Sequence, residues 1–283
     1  MAGDSRCGDR QPETALFPIE VDAFLKADYL SRSDIVLMVG TSLFSRAIRL
    51  ATRSPFSHAA LVFLIPDRET GFDRTFLIEA VPKGIAFRGL AEVVGADSRK
   101  NPRTAVAILR FERPWFDVDV QKLVRGRMLH FIRAGYDWLT IFSIAWSLAT
   151  GIVWGQEKYI KNLQRSLTKH YQSKRLAPAN FICSGLVQYG FLRTVFDLSQ
   201  EGSSSIPHAA VAETIFDERL RKVEPGHILS GSPEALAELL ATTPDEISRA
   251  PSLMWKYLIL DGMVHAVTSR DLAIELLRKR STR

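Results

Sequence analysis

The chain has 283 residues, 46% hydrophobic and 24% charged, which suits one large globular domain or two small ones and excludes a wholly disordered chain. Its formal charge is +6 and its pI near 9.4, but no lysine–arginine block of the kind that forms nucleic-acid arms occurs, so no nucleic-acid partner is expected. Two cysteines, Cys7 and Cys183, make no disulfide framework, and the six histidines show no metal-ligand spacing with them, so neither a metal nor another cofactor is expected.

In chain order, residues 1–15 read as a disordered N-terminus. Met1 to Pro12 holds charges without an apolar core segment, so no secretory signal is read and a cytoplasmic setting is expected. Ile19 to Tyr29 suits a short amphipathic helix. Asp34-Ile-Val-Leu-Met-Val39 is a compact apolar run and reads as a buried strand. Ser42 to Thr52 has helical spacing. Pro55 breaks it, and a strand follows from His58 to Ile65. Asp67 to Arg74, with Gly71, reads as a hairpin connection to the returning strand Thr75–Val81. Gly84–Arg88 and Thr104–Phe111 read as two more strands, and Val118 to Ala134 as a helix with one apolar face.

No charge occurs from Trp138 to Gln156, which spans 156 − 138 + 1 = 19 residues, at the lower edge of a transmembrane length. Serine and threonine at 140, 143, 147 and 150 give it a half-polar stripe. The stretch 139–154 therefore reads as buried core, as the lining of an acyl site, or as a membrane-surface contact rather than a span. Lys158 to Pro178 is polar and basic. A helix opens at Cys183, a loop is expected from Phe196 to His208, and short helices follow. Among these, Thr243-Pro-Asp-Glu246 is a capping box with proline at the first helical position, and Asp271 to Arg280 is amphipathic.

Four side chains stand out. Cys183 begins an apolar-periodic run three residues after Asn180, a plausible cap. A thiol in the first turn of a helix meets the positive end of the macrodipole, which favours the thiolate, and the free N–H groups there suit a developing oxyanion. Its other reading is a small buried residue opening a core helix. His58 stands where a loop enters a strand, as a base or as a structural histidine. Glu79 lies inside an apolar strand, where a carboxylate is costly unless it is paired. Tyr136, in Gly135-Tyr-Asp-Trp138, is either an oxyanion donor or a packing aromatic.

The blocks Asp34-Ile-Val-Leu, Ser57-His58-Ala-Ala-Leu-Val and Ile78-Glu79-Ala80 resemble strand blocks of the NlpC-type papain-like cysteine amidases and peptidases. Gly135-Tyr136-Asp-Trp138 and Cys183-Ser-Gly-Leu-Val-Gln-Tyr-Gly-Phe resemble that family's tyrosine and cysteine blocks. Because the histidine block precedes the cysteine block, the order is similar to that of the circularly permuted branch, the bacterial YaeF/YiiX type, which also has eukaryotic acyltransferase relatives. The resemblance covers Asp34 to Phe191, and Thr243-Pro-Asp-Glu246 also looks like that branch.

The resemblance implies an α+β permuted papain-like domain over residues 16–210. In it an antiparallel sheet carrying His58 and Glu79 packs on the Cys183 helix, and residues 211–283 form a helical C-terminal extension. It implies Cys183 as nucleophile, His58 as base and acid, Glu79 as the group that orients the imidazole, and Tyr136 at the oxyanion hole. The expected activity is a cysteine hydrolase cleaving an amide, isopeptide or peptide bond through an acyl-enzyme. The alternatives are a lipid-directed acyltransferase or thioesterase with the same triad, and a non-enzymatic binding protein that keeps the fold. Ile182 departs from the aspartate often found before the cysteine, which weakens any transfer of cell-wall specificity.

Overall fold

The computed structural model describes residues 17–40, 54–67, 71–81, 84–95, 104–129, 183–201, 209–230 and 242–281, with a few positions besides. Tyr136, Asn180, the stretch 139–154, the basic segment up to Pro178, most of 42–52 and residues 1–15 lie outside the described residues.

The described residues form an α+β fold around one antiparallel sheet. Its strands are β1 (Ile19–Glu20), β2 (Ile35–Val39), β3 (His58–Leu64), β4 (Phe76–Val81), β5 (Gly84–Gly89), β6 (Ala105–Phe111), β7 (Leu253–Leu260) and β8 (Met263–Ala266), in the spatial order β1-β8-β7-β6-β2-β3-β4-β5. β2 is central and buried along its whole length, which is why its sequence is continuously apolar. Successive residues serve different cores. Ile35, Leu37 and Val39 join one cluster with Ala59, Leu61, Ile78 and Leu109, while Val36 and Met38 join another with Ala60, Val62, Leu77 and Ile108.

The first cluster is covered by α3 (Val118–Leu129) and α4 (Cys183–Gln200), the second by α1 (Val21–Lys26) and α2 (Leu90–Val94). α3 and α4 approach closely at Gly190, where an added Cβ would stand 2.9 Å from Met128 Cγ. The far half of α4 is held by Phe191, fully buried and in ring contact with Phe111, Phe116 and Phe216 at centroid distances of 5.7, 5.4 and 5.1 Å. Burying one such side chain stabilises the fold by about 1.5–3 kcal/mol. The helix runs to Gln200, past the expected boundary at Phe196, because Phe196 and Leu198 still pack, partly buried, against the core.

The segment from 211 onward departs from the expected helical extension. It does hold helices, namely α5 (Ala210–Glu213), α6 (Pro225–Ile228), α7 (Pro244–Arg249) and α8 (Arg270–Ser281), but it also supplies β7 and β8 to the sheet. β7 pairs along β6, so this part is built into the sheet as well as packed on it. The turn between β7 and β8 is Asp261-Gly262, both with positive φ (52° and 82°), the backbone that matches a tight hairpin to strand twist. α7 has the expected capping box: Glu246 N–H donates to Thr243 Oγ1 at 3.3 Å, and Thr243 N–H donates to Glu246 Oε2 at 2.6 Å. Among the described residues no helix is long and apolar enough to cross a membrane.

Candidate functional site

Cys183 and His58 are each the first residue of their element, α4 and β3, and they meet at one end of the sheet. The end of β3 is fixed to β2 by short contacts. Ser57 N–H donates to the Met38 carbonyl at 2.9 Å, and the Gly40 N–H donates to Ser57 Oγ at 3.0 Å. Gly40 has to be glycine here, since a Cβ would fall 2.3 Å from Ser45 Oγ and 2.9 Å from Ser57 Oγ. The start of α4 is held from the other side. Ser184 Oγ donates to the Thr242 carbonyl at 2.6 Å. The Gln188 amide donates from Nε2 to the Thr214 carbonyl at 2.8 Å and accepts from Phe216 N–H at 2.7 Å. All these groups belong to the segment after α4, so the C-terminal part of the chain fixes the helix that carries the thiol.

Register then places the third residue. Leu61 pairs with Ile78, which brings Ala60 level with Glu79 and sets His58 on the same face one diagonal away. His58 Nε2 lies 2.6 Å from Glu79 Oε2. With Nε2 taken by the carboxylate, Nδ1 is the ring nitrogen left for Cys183, whose thiol is in hydrogen-bonding reach of the imidazole. Glu79 is 2% exposed, so its charge is answered almost entirely by protein groups.

One partner of that charge escaped the sequence reading. Leu77 pairs with Arg88 across β4 and β5, so Arg88 is diagonal to Glu79 on its face. Arg88 Nη2 donates to Glu79 Oε2 at 3.0 Å, and its Nε lies 2.9 Å from Oε1. Nη2 also approaches Met38 Sδ at 3.5 Å, and Met38 is directly opposite His58 in the β2–β3 pairing. The sequence signal was an arginine one hairpin after a buried glutamate on the matching strand face, and only the register reveals it.

The electrostatics follow from these contacts. Burial would push the His58 imidazolium down, but the Cys183 thiolate and the Glu79 carboxylate outweigh it and its pKa is pushed up to about 10. For Cys183, burial opposes ionisation, yet the His58 charge and the backbone groups of Ala59 and Ser184 hold the thiol below its ordinary value of 9.0. Glu79 is likewise pushed up by burial but brought below its ordinary value by His58 and Arg88. The favoured state is thiolate, imidazolium, carboxylate and guanidinium, a neutral quartet of two anions and two cations.

The structure thus brings Cys183, His58 and Glu79 together, while Tyr136 lies outside the described residues. Among the described residues no group of three or more histidine, cysteine or acidic side chains is arranged to hold a metal ion.

No family model matches the chain, and no curated protein matches it. Among solved structures, the metalloprotein yiiX from Escherichia coli O157:H7 is similar over 80% of this chain and 96% of that chain, at 18% sequence identity and a TM-score of 0.42.

Proposed function

We propose that the protein is a cysteine hydrolase of the permuted papain-like, NlpC-type architecture, cleaving an amide, isopeptide or peptide bond through an acyl-enzyme on Cys183. The observation that carries this reading is the single imidazole of His58, held by a buried carboxylate on Nε2 and interacting with the thiol of Cys183, the first residue of α4. A thiolate in that setting is the reactive form of cysteine, and a base oriented by a third group is the recurring logic of such sites. The block order, His58 and Glu79 before Cys183, supports the permuted branch.

In the proposed reaction the Cys183 thiolate attacks the substrate carbonyl carbon, and the carbonyl oxygen becomes the oxyanion. Cys183 is the first residue of α4, and the N–H groups of a helix's first turn, which have no intrahelical acceptor, suit that charge. The His58 imidazolium gives its Nδ1 proton to the leaving amine as the C–N bond breaks, leaving a thioester on Cys183. Neutral His58 then takes a proton from water, whose oxygen attacks the thioester, and the collapse releases the acid and the thiolate. Glu79 keeps the imidazole in one orientation and stabilises its charged form throughout.

The test is a screen of amide, peptide and acyl-thioester compounds against the parent and Cys183→Ala, with mass spectrometry of the intact protein. Turnover accompanied by an acyl adduct on Cys183 in the parent alone supports the reading. Turnover that survives in Cys183→Ala contradicts it.

A further inference from the structure

We propose that Arg88 is a positioning residue for Glu79: its guanidinium holds the carboxylate ionised and aimed at His58, and through that pair it sets the pH at which Cys183 becomes reactive. This rests on the reading of Cys183 and His58 given above and adds a fourth member to it. The geometry carries it. Arg88 Nη2 donates to Glu79 Oε2 at 3.0 Å, the same oxygen that lies 2.6 Å from His58 Nε2, and Arg88 Nε makes an ion contact with Oε1 at 2.9 Å without the alignment of a hydrogen bond. The carboxylate therefore cannot turn away from the imidazole without breaking the guanidinium contact. Arg88 is itself held against Met38 Sδ at 3.5 Å and rises from a strand, an element that fixes its origin. The charge-assisted bond from Nη2 fixes direction, and the guanidinium supplies a permanent positive charge.

Among the described residues, the charged groups facing Glu79 are His58 from β3 and Arg88 from β5, and Cys183 from α4 faces His58 beyond it. Without Arg88 the buried carboxylate loses its permanent cation and takes up a proton at a higher pH. Once Glu79 is neutral, the imidazolium has no counter-charge on Nε2, and the thiolate loses the cation that stabilises it. The acid limb of Cys183 reactivity must then move upward. At a pH where Glu79 is ionised again, reactivity returns. A guanidinium that merely packed against the strand would give no such pH-selective loss.

The experiment uses iodoacetamide alkylation of the full chain with Cys7 replaced by serine, followed from pH 4 to 9 in the parent, Arg88→Gln, Arg88→Met and Arg88→Lys. The expected result is an upward shift of the acid midpoint by about one pH unit in Arg88→Gln and Arg88→Met, the typical size of a lost neighbouring charge. Rates at pH 8 should stay within about twofold of the parent, and Arg88→Lys should keep the parental midpoint because it restores the charge. Combining Arg88→Gln with Glu79→Gln should add less than about twofold to the Glu79→Gln effect, since the proposal has Arg88 acting only through Glu79. Two neutral variants guard against one failing to fold. Midpoints that overlay the parent, or a full Arg88→Gln effect persisting in the Glu79→Gln background, would overturn the role of Arg88 alone. A parent whose Cys183 reacts as an ordinary thiol would instead remove the underlying reading of the site.

Discussion

His58 Nε2 stands 2.6 Å from Glu79 Oε2, and this one contact decides which ring nitrogen is free to serve Cys183. It also explains how a carboxylate can sit 2% exposed inside a strand. His58 and Arg88 together repay the desolvation that an isolated Glu79 would suffer.

The roles of the three residues differ, and so should their substitutions. Cys183→Ala and His58→Ala are expected to abolish turnover on whatever amide, peptide or thioester the screen identifies, with the fold intact by circular dichroism. Glu79→Gln keeps a hydrogen-bonding group beside Nε2 but loses the charge, so it should reduce kcat by less than either. A Glu79→Gln variant as dead as Cys183→Ala would show that the carboxylate does more than orient and charge the imidazole.

The same quartet makes stability depend on pH in a definite way. The His58 pKa is raised from 6.5 to about 10, so its contribution is complete below pH 6.5 and is lost as pH rises through about 10. The Cys183 pKa is lowered from 9.0, so its contribution is present above 9.0 and is lost as pH falls through its lowered value. Above 9.0 the unfolded chain has lost both protons of the pair, while the folded chain still holds the one on His58. Urea unfolding of the parent minus that of Cys183→Ala/His58→Ala should therefore fall by about 1 kcal/mol per pH unit from 9 to 10, the size of one proton's linkage. A difference that stays flat or rises over that range would contradict the paired titration.

Asp34 and Arg110 form a second buried pair, away from Cys183. Arg110 Nε donates to Oδ1 at 2.7 Å and Nη2 to Oδ2 at 2.8 Å, and Ser31 N–H donates to Oδ2 at 2.8 Å. Burial pushes the Asp34 carboxyl up in spite of Arg110. Arg110→Met strands a buried acid and should cost about 3–5 kcal/mol of unfolding free energy. Replacing both partners, Asp34→Val with Arg110→Met, should cost clearly less than the single change. Equal losses would mean that the pair is not the source of the effect.

Gln188 gives a test of how the C-terminal segment fixes the thiol helix. Gln188→Met leaves the Thr214 carbonyl and the Phe216 N–H without their partners, at about 1–3 kcal/mol for each unsatisfied group. Denaturant midpoints measure the stability loss. Because α4 would be released near Cys183, alkylation at neutral pH should also slow. A loss of stability without any change in alkylation would confine Gln188 to the core.

Much of the sheet was legible because its strands are written as apolar runs punctuated by turns. β2, β3, β4 and β6 fall within two residues of the boundaries read from sequence. That Glu79 needs a partner was legible, since a buried strand carboxylate is costly alone, while the choice of His58 as that partner came only from the resemblance. Arg88 was not, because a partner set by β4–β5 register has no signature in spacing alone. The β7–β8 hairpin is a different case. Asp261-Gly262 between two apolar runs is a strong hairpin signal, but the neighbouring capping box at Thr243 and the amphipathic run at 271–280 point to helices instead. Phe196-Asp-Leu-Ser reads as polar punctuation, yet α4 continues to Gln200 because Phe196 and Leu198 pack, partly buried, against the core.

The central claim is that Cys183 is activated by His58, and the most direct measurement is the pH dependence of Cys183 alkylation by iodoacetamide in the parent and in His58→Ala, with Cys7 replaced in both. The account predicts rapid alkylation well below the free-thiol pKa near 8.5, abolished at those pH values in His58→Ala. Slow alkylation that tracks an ordinary thiol in both proteins would contradict it and leave Cys183 as a buried structural residue.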